Sequence, residues 1–226
     1  MNVAILTIVV LYTIALAYNI KKRKKEDAQK EKEFWDREHE ANFTRKKSIE
    51  DLSYINIPDE VTTIAQNIIT FCESNISEND FCENDSPEKR EMYTMVIAHA
   101  RNIISLSSRK IVNLNGITNT ELKLQYGAAN ITTLSDYDQN YSDLIVSLDK
   151  TGLFLHENDM KDQALTVLEY ASSIHSDIYS TYDKLSQIYI DNNKRELIHL
   201  LIKNAEEINS IRKNAIIKHL QEKLDA

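Results

Sequence analysis

The sequence predicts an all-α protein with a single N-terminal transmembrane helix followed by helical hairpins. Three observations carry this expectation. Three Gly and two Pro in 226 residues are too few for an all-β chain, which needs turn residues about every 8–12 positions. Val3 to Ile20 is an apolar run without a charge, followed at once by five basic residues. In the last third of the chain, large and small residues recur 34 positions apart, 147 against 181, a self-similarity typical of stacked helical units.

The apolar run comes first in the chain. Only Thr7, Thr13 and Asn19 interrupt it. At about 1.5 Å per residue it is roughly 27 Å long, close to the ~30 Å hydrocarbon core of a bilayer. Ala15-Leu16-Ala17 resembles the small-x-small pattern of a cleaved export signal, but no Lys or Arg precedes Lys21, and export signals carry their positive charge in front. Lys21, Lys22, Arg23, Lys24 and Lys25 follow the run instead. There they hold the C-terminal side in the cytoplasm and attract anionic headgroups. The expected location is therefore the cell membrane, single-pass, with the N-terminus outside and the lipid bilayer as one partner.

Residues 21–58 read as a basic stop-transfer cluster, a charged juxtamembrane helix and a connector. Trp35, on that helix, is expected to pack on the domain. Ile49–Ile57 reads as extended because Pro58 disfavours helix in the residue before it. Residues 59–134 form the first helical half. A helix begins near Asp59, with Val61, Ile64, Ala65, Ile68, Phe71 and Cys72 on one face. The polar stretch Glu73–Asp85 reads as a loop, Ser86-Pro87 as a helix start, and Met92, Met95, Val96, Ala100, Ile103 and Ile104 as the apolar face of a helix whose extension ends at Gly116. Thr118 with Glu121 has the spacing of a capping box. The small residues Gly127, Ala128 and Ala129 suggest tight packing between the two halves.

Residues 135–226 carry the repeat. Ser147-Leu148-Asp149-Lys150 returns as Thr181-Tyr182-Asp183-Lys184; Gly152 is matched by Ser186, Leu155 by Tyr189, Leu168 by Ile202 and Ala171 by Ala205. This pattern resembles the tetratricopeptide repeat, a 34-residue helix-turn-helix. The resemblance implies two repeats in an α-solenoid, with Ile211–Leu224 as a cap whose Leu220 stands where another repeat would need a small residue. Thr151 and Ile198 depart from the family's pattern, and Ser176 and Ser210 stand where its closing proline is common.

In that family the concave face comes mostly from the first helix of each pair. The matching positions here are Val146, Asp149, Lys150, Leu153, His156 and Glu157, then Ser180, Asp183, Lys184, Gln187 and Asp191. The family's chaperone-tail clamps use Lys and Asn where this chain has Asp149, Leu153, Asp183 and Gln187. The resemblance therefore implies a mildly acidic groove and a protein or peptide partner of basic character. The layout of anchor, charged linker and C-terminal repeats also resembles uncharacterised membrane-anchored proteins of low-GC Gram-positive bacteria, which implies no function.

Charge and motifs exclude other classes. The net charge is −8, and removing the five basic residues at 21–25 leaves 22 basic against 35 acidic residues, or −13. Phosphate backbones would be repelled, so nucleic-acid binding is disfavoured. Cys72 and Cys82 are too few for a disulfide framework or a four-cysteine zinc site. The six His form no HExxH pair, and no glycine-rich phosphate loop or G-x-S-x-G motif is present. No cofactor and no catalytic residue is expected. The leading functional expectation is a membrane-tethered scaffold or adaptor; the alternative is an accessory structural subunit of a membrane complex, held by its transmembrane helix.

Overall fold

The computed structural model describes residues 3–79 and 87–225, and only the backbone of residues 3–10 and 77–79. Among the described residues there are nine α-helices, two short 3-10 turns and no strand, as the all-α expectation requires. The chain divides into two compact units. One comprises the chain up to Ile49 together with Ile117–Ile131; the other comprises Glu50–Gly116 and Thr132–Ala226.

The first unit is built on α1, Val3–Phe43. Helix persists across the change from apolar to charged sequence because no Gly or Pro interrupts it. Among the described residues no helix is long and apolar enough to cross a membrane. The side chains of residues 3–10, on which much of the anchor expectation rests, lie outside the described ones. The end of α1 packs on α4, Asn119–Tyr126. Ala41 is the buried contact. Around it the Thr120 hydroxyl donates to the Glu38 carboxylate, Lys123 Nζ lies 3.5 Å from Glu38, and Arg37 lies 3.7 Å from Glu121. The expected capping box is present: Thr118 Oγ1 accepts from the Glu121 amide, and the Glu121 carboxylate accepts from the Thr118 amide.

Two expectations fail in this unit. Trp35 does not pack on the domain; it is 62% exposed, because the packed side of α1 is taken by Glu38, Ala41 and their partners on α4. The Gly127 cluster does not join two halves of the soluble part. Gly127 has φ +90°, and a Cβ on it would stand 2.3 Å from the carbonyl oxygen of Arg45, so its close neighbour is the strand of chain just after α1. That neighbour is stitched on by Lys47 N to Tyr126 O at 3.0 Å and by the buried Asn130, which donates to the carbonyls of Lys47 and Tyr126.

The second unit opens with a turn at residues 50–52, inside the stretch expected to be extended, and residues 53–58 then run without helix or strand up to α2. Then come α2, Asp59–Asn79, and α3, Pro87–Leu106, which pack on each other. Val61, Ile64, Ala65, Ile68 and Cys72 are buried against Tyr93, Val96, Ala100 and Ile103, whereas Phe71 sits at the rim, edge-on to Tyr93 and Phe154. Of the loop expected over Glu73–Asp85, residues 73–79 are helix, since α2 runs through Asn79, and the remainder lies outside the described residues. Ser74 and Asn75 bond back to the carbonyls of Thr70 and Phe71 within the helix, Ile76 packs on the core, and Arg101 pairs with Glu73 at 2.8 Å. Cys82 and Ser86 lie outside the described residues, and Pro87 opens α3 as expected.

The helix also stops earlier than expected, at Leu106 rather than near Gly116. Ser107 and Ser108 turn their hydroxyls onto the carbonyls of Ile104 and Ser105, competing with continuation of the helix. Beyond them Ile111, Val112 and Leu114 are buried in chain that is neither helix nor strand, tied down by Ile55 N to Ile111 O and by Leu114 N to the Asp138 carboxylate, both 2.9 Å.

The rest is a succession of helices: α5 Ile131–Glu157, α6 Lys161–Ser173, α7 Tyr179–Asp191, α8 Ile198–Glu206 and α9 Lys213–Asp225. Of the matched positions, Leu148, Leu155, Ala164, Leu168, Ala171, Tyr182, Leu185, Ser186, Tyr189, Ala205 and Leu220 are buried, and Ile202 is half-buried against the core. The period is also written in the backbone. Asp159 (φ 60°) ends α5 and Asn193 (φ 56°) ends α7. The next amide in each turn reaches back to the last large residue of its helix, Met160 N to Leu155 O and Lys194 N to Tyr189 O. Asp and Asn tolerate this left-handed conformation, and the six-to-one bond closes a helix tightly enough for its successor to fold back.

Gly152 sets how closely α5 meets α6: a Cβ there would stand 2.5 Å from Leu168 Cδ2. Gly152→Ala is expected to destabilise the second unit. Overpacking costs about 1–3 kcal/mol, which exceeds the ~1 kcal/mol that Ala gains over Gly in a helix. Urea denaturation should show the loss, and the same substitution made on a Leu168→Val background should cost less.

Candidate interaction surface

The row proposed along α5 and α7 is only partly a surface. Val146, Lys150 and Glu157 are exposed, and Leu153 and His156 are half-buried. On α7, Lys184 and Gln187 are half-buried and Asp191 is exposed, with Gln187 donating to Asp191 at 2.7 Å. These eight residues form the accessible face.

The other three are engaged within the molecule. Asp149 is only 2% exposed; its carboxyl accepts from Ser180 Oγ at 2.7 Å and Thr181 Oγ1 at 2.9 Å. Ser180 is thereby occupied as well. Asp183 lies 2.7 Å from His219 Nε2 and 3.5 Å from Lys223 Nζ, both on α9, and the Tyr179 ring stacks obliquely on His219. Of the two carboxylates on which the expected acidity of the groove rested, Asp149 is buried, whereas Asp183 keeps 43% of its side chain exposed beside His219 and Lys223. The accessible charges are Lys150 and Lys184 with Glu157, Asp183 and Asp191.

Two residues of α3 adjoin this row. Asn102 donates to Ser147 Oγ at 3.0 Å, and His99 Nδ1 lies 3.4 Å from the same oxygen. Residues 45 to 48 positions apart share this contact, so helical periodicity within α5 could not have revealed it. Burial holds the His99 imidazole below its ordinary value of 6.5; Lys150 adds to the effect and Asp149 opposes it. His156 is lowered in the same way, by burial and then by Lys184 and Lys161, against Asp191 and Glu157. The charges felt by His156 come from α5, α6 and α7.

Other chemistry is sparse. Among the described residues no group of three or more His, Cys, Asp and Glu is placed to hold a metal ion. Cys72 is a buried free thiol, pushed up to about 11 by burial and then by Glu73. Lys21 to Lys25 are exposed on α1, with Lys22 3.8 Å from Glu26. No family model matches the chain, and neither a curated protein nor a solved structure matches it.

Both lowered imidazoles make stability depend on pH. In the native state they resist protonation, so their contribution is complete above about 6.5 and is lost as pH falls below it, where the unfolded chain takes up protons first. Melting temperature should therefore fall between about pH 7.5 and pH 5.5, and His99→Gln should flatten that slope. Cys72 should resist alkylation at about pH 8 until the protein unfolds, as read from the mass of the peptide that contains it.

Proposed function

We propose that the protein is a membrane-tethered interaction protein, in which the exposed row of α5 and α7 receives a segment of another protein at the cytoplasmic membrane face. The observation that carries this reading is the row itself. Val146, Lys150, Leu153, His156 and Glu157 are accessible along α5, and Lys184, Gln187 and Asp191 along α7, which Asp149 joins to α5 through Ser180 and Thr181. Apolar, cationic and anionic groups alternate there, with His99 and Asn102 of α3 against the neighbouring Ser147. The resemblance of residues 147–210 to tetratricopeptide repeats supports the same reading, since in that family this row is where peptides lie. The charge balance now favours a partner segment of mixed charge with an apolar centre to meet Val146 and Leu153.

The tether in this proposal is the run Val3–Ile20, with Lys21 to Lys25 at the lipid headgroups. Holding a weak groove at a surface raises the effective concentration of any partner confined there, so modest affinity suffices.

A photoreactive residue placed at Leu153 or Gln187 in the full chain should give one discrete adduct in membranes. A Lys150→Glu, Lys184→Glu pair should abolish that adduct. Adducts that persist unchanged in the pair would speak against this face. Deletion of residues 1–20 should release the protein from alkaline-washed membranes, and retention of the shortened chain would remove the tether from the proposal.

A further inference from the structure

Two imidazoles reach the row of α5 and α7 from different elements. His156 belongs to the row and is half-buried. His99, half-buried on α3, meets its edge, with Nδ1 3.4 Å from Ser147 Oγ. The charges that act on His156 are Lys184 and Asp191 of α7, Lys161 of α6 and Glu157 of its own helix. Those that act on His99 are Lys150 and Asp149 of α5. Each ring thus has both signs of charge beside it. Asn102 donates to Ser147 Oγ at 3.0 Å; a hydroxyl oxygen has two lone pairs, so the same oxygen can also accept from a protonated His99. A third imidazole, His219, is placed differently: it lies 2.7 Å from Asp183 and joins α9 to α7.

We infer that His99 and His156 make the row responsive to pH, so that acidification adds positive charge to it and turns it toward partner segments bearing carboxylates. This rests on the reading of the row as the receiving face. Burial holds both rings below their ordinary value of 6.5, so both are neutral at about pH 7.5 and take up protons only as pH falls below about 6.5. Each protonation adds one positive charge, whichever neighbouring groups are counted with the row. That charge draws an approaching carboxylate and repels an approaching ammonium. Linkage works in both directions: a carboxylate held beside either ring raises that ring's affinity for a proton.

The test uses the full chain in neutral detergent and two synthetic peptides with the same leucine centre, one flanked by Glu and the other by Lys. Binding is read from the anisotropy of a rhodamine label, with circular dichroism to show that the protein is folded at each pH. The Glu side chains stay ionised at about pH 5.5. Between about pH 7.5 and pH 5.5 the affinity for the Glu peptide relative to the Lys peptide should rise at least about threefold, as expected for exposed charge contacts. His99→Gln with His156→Gln should hold that ratio constant. His156→Gln alone should lose part of the rise, and serves where the double variant does not fold. His199→Gln, exposed on α8, should respond as the unaltered chain does. A ratio that ignores pH, or a rise that persists in the double variant, would overturn the inference and leave the receiving face standing. Binding of neither peptide at either pH would overturn both.

Discussion

Asp149 sits at the junction on which the order of the second unit depends. Its carboxyl is withdrawn from water and must find its hydrogen bonds inside the protein, and both donors it uses, Ser180 and Thr181, stand at the start of α7. That pair of bonds sets the approach of α7 to α5. α7 in turn carries α8 and, through Asp183 with His219 and Lys223, the last helix α9. Removing one partner of such a buried group costs more than the bond is worth, because the other is left unsatisfied. The same carboxyl could not also serve a ligand.

Around that junction, repetition is achieved by a few residue choices. Gly152 admits Leu168, and Asp159 and Asn193 turn the chain in the left-handed region at equivalent places. Tyr189 donates to Glu169 at 2.6 Å and so ties α7 to α6. Each choice acts between neighbouring helices only. A stack of this kind can therefore hold a regular face with a short sequence and little loop.

Much of this was legible along the chain. The helical class, the capping box at Thr118, the start of α2 at Asp59 and of α3 at Pro87, and the burial of the repeated positions all follow from local rules. The misreadings also have local causes. Polar residues 73–79 looked like loop, yet Ser74 and Asn75 bond back into their own helix. Residues 107–116 looked like helix, yet two serines bond back to the carbonyls of Ile104 and Ser105 and the chain beyond them leaves the helix. Of the candidate face only Asp149 is buried, while Ser180 and Asp183 are half-buried and bonded to other helices; helical phase says which side of a helix a residue occupies, not what a neighbouring helix brings to it.

The sequence by itself determined the class of structure, the starts of α2, α3 and α4, the 34-residue period and the charge asymmetry around residues 21–25. These are written in residue order and composition, and a chain carries them wherever it folds. Only the tertiary structure decided that the segment 117–131 belongs with α1, that Asp149 is buried between α5 and α7, and that Trp35 and Phe43 are left facing water. Each of those depends on residues tens of positions apart meeting in space. Burial and pairing are set by that meeting, and no periodicity records it.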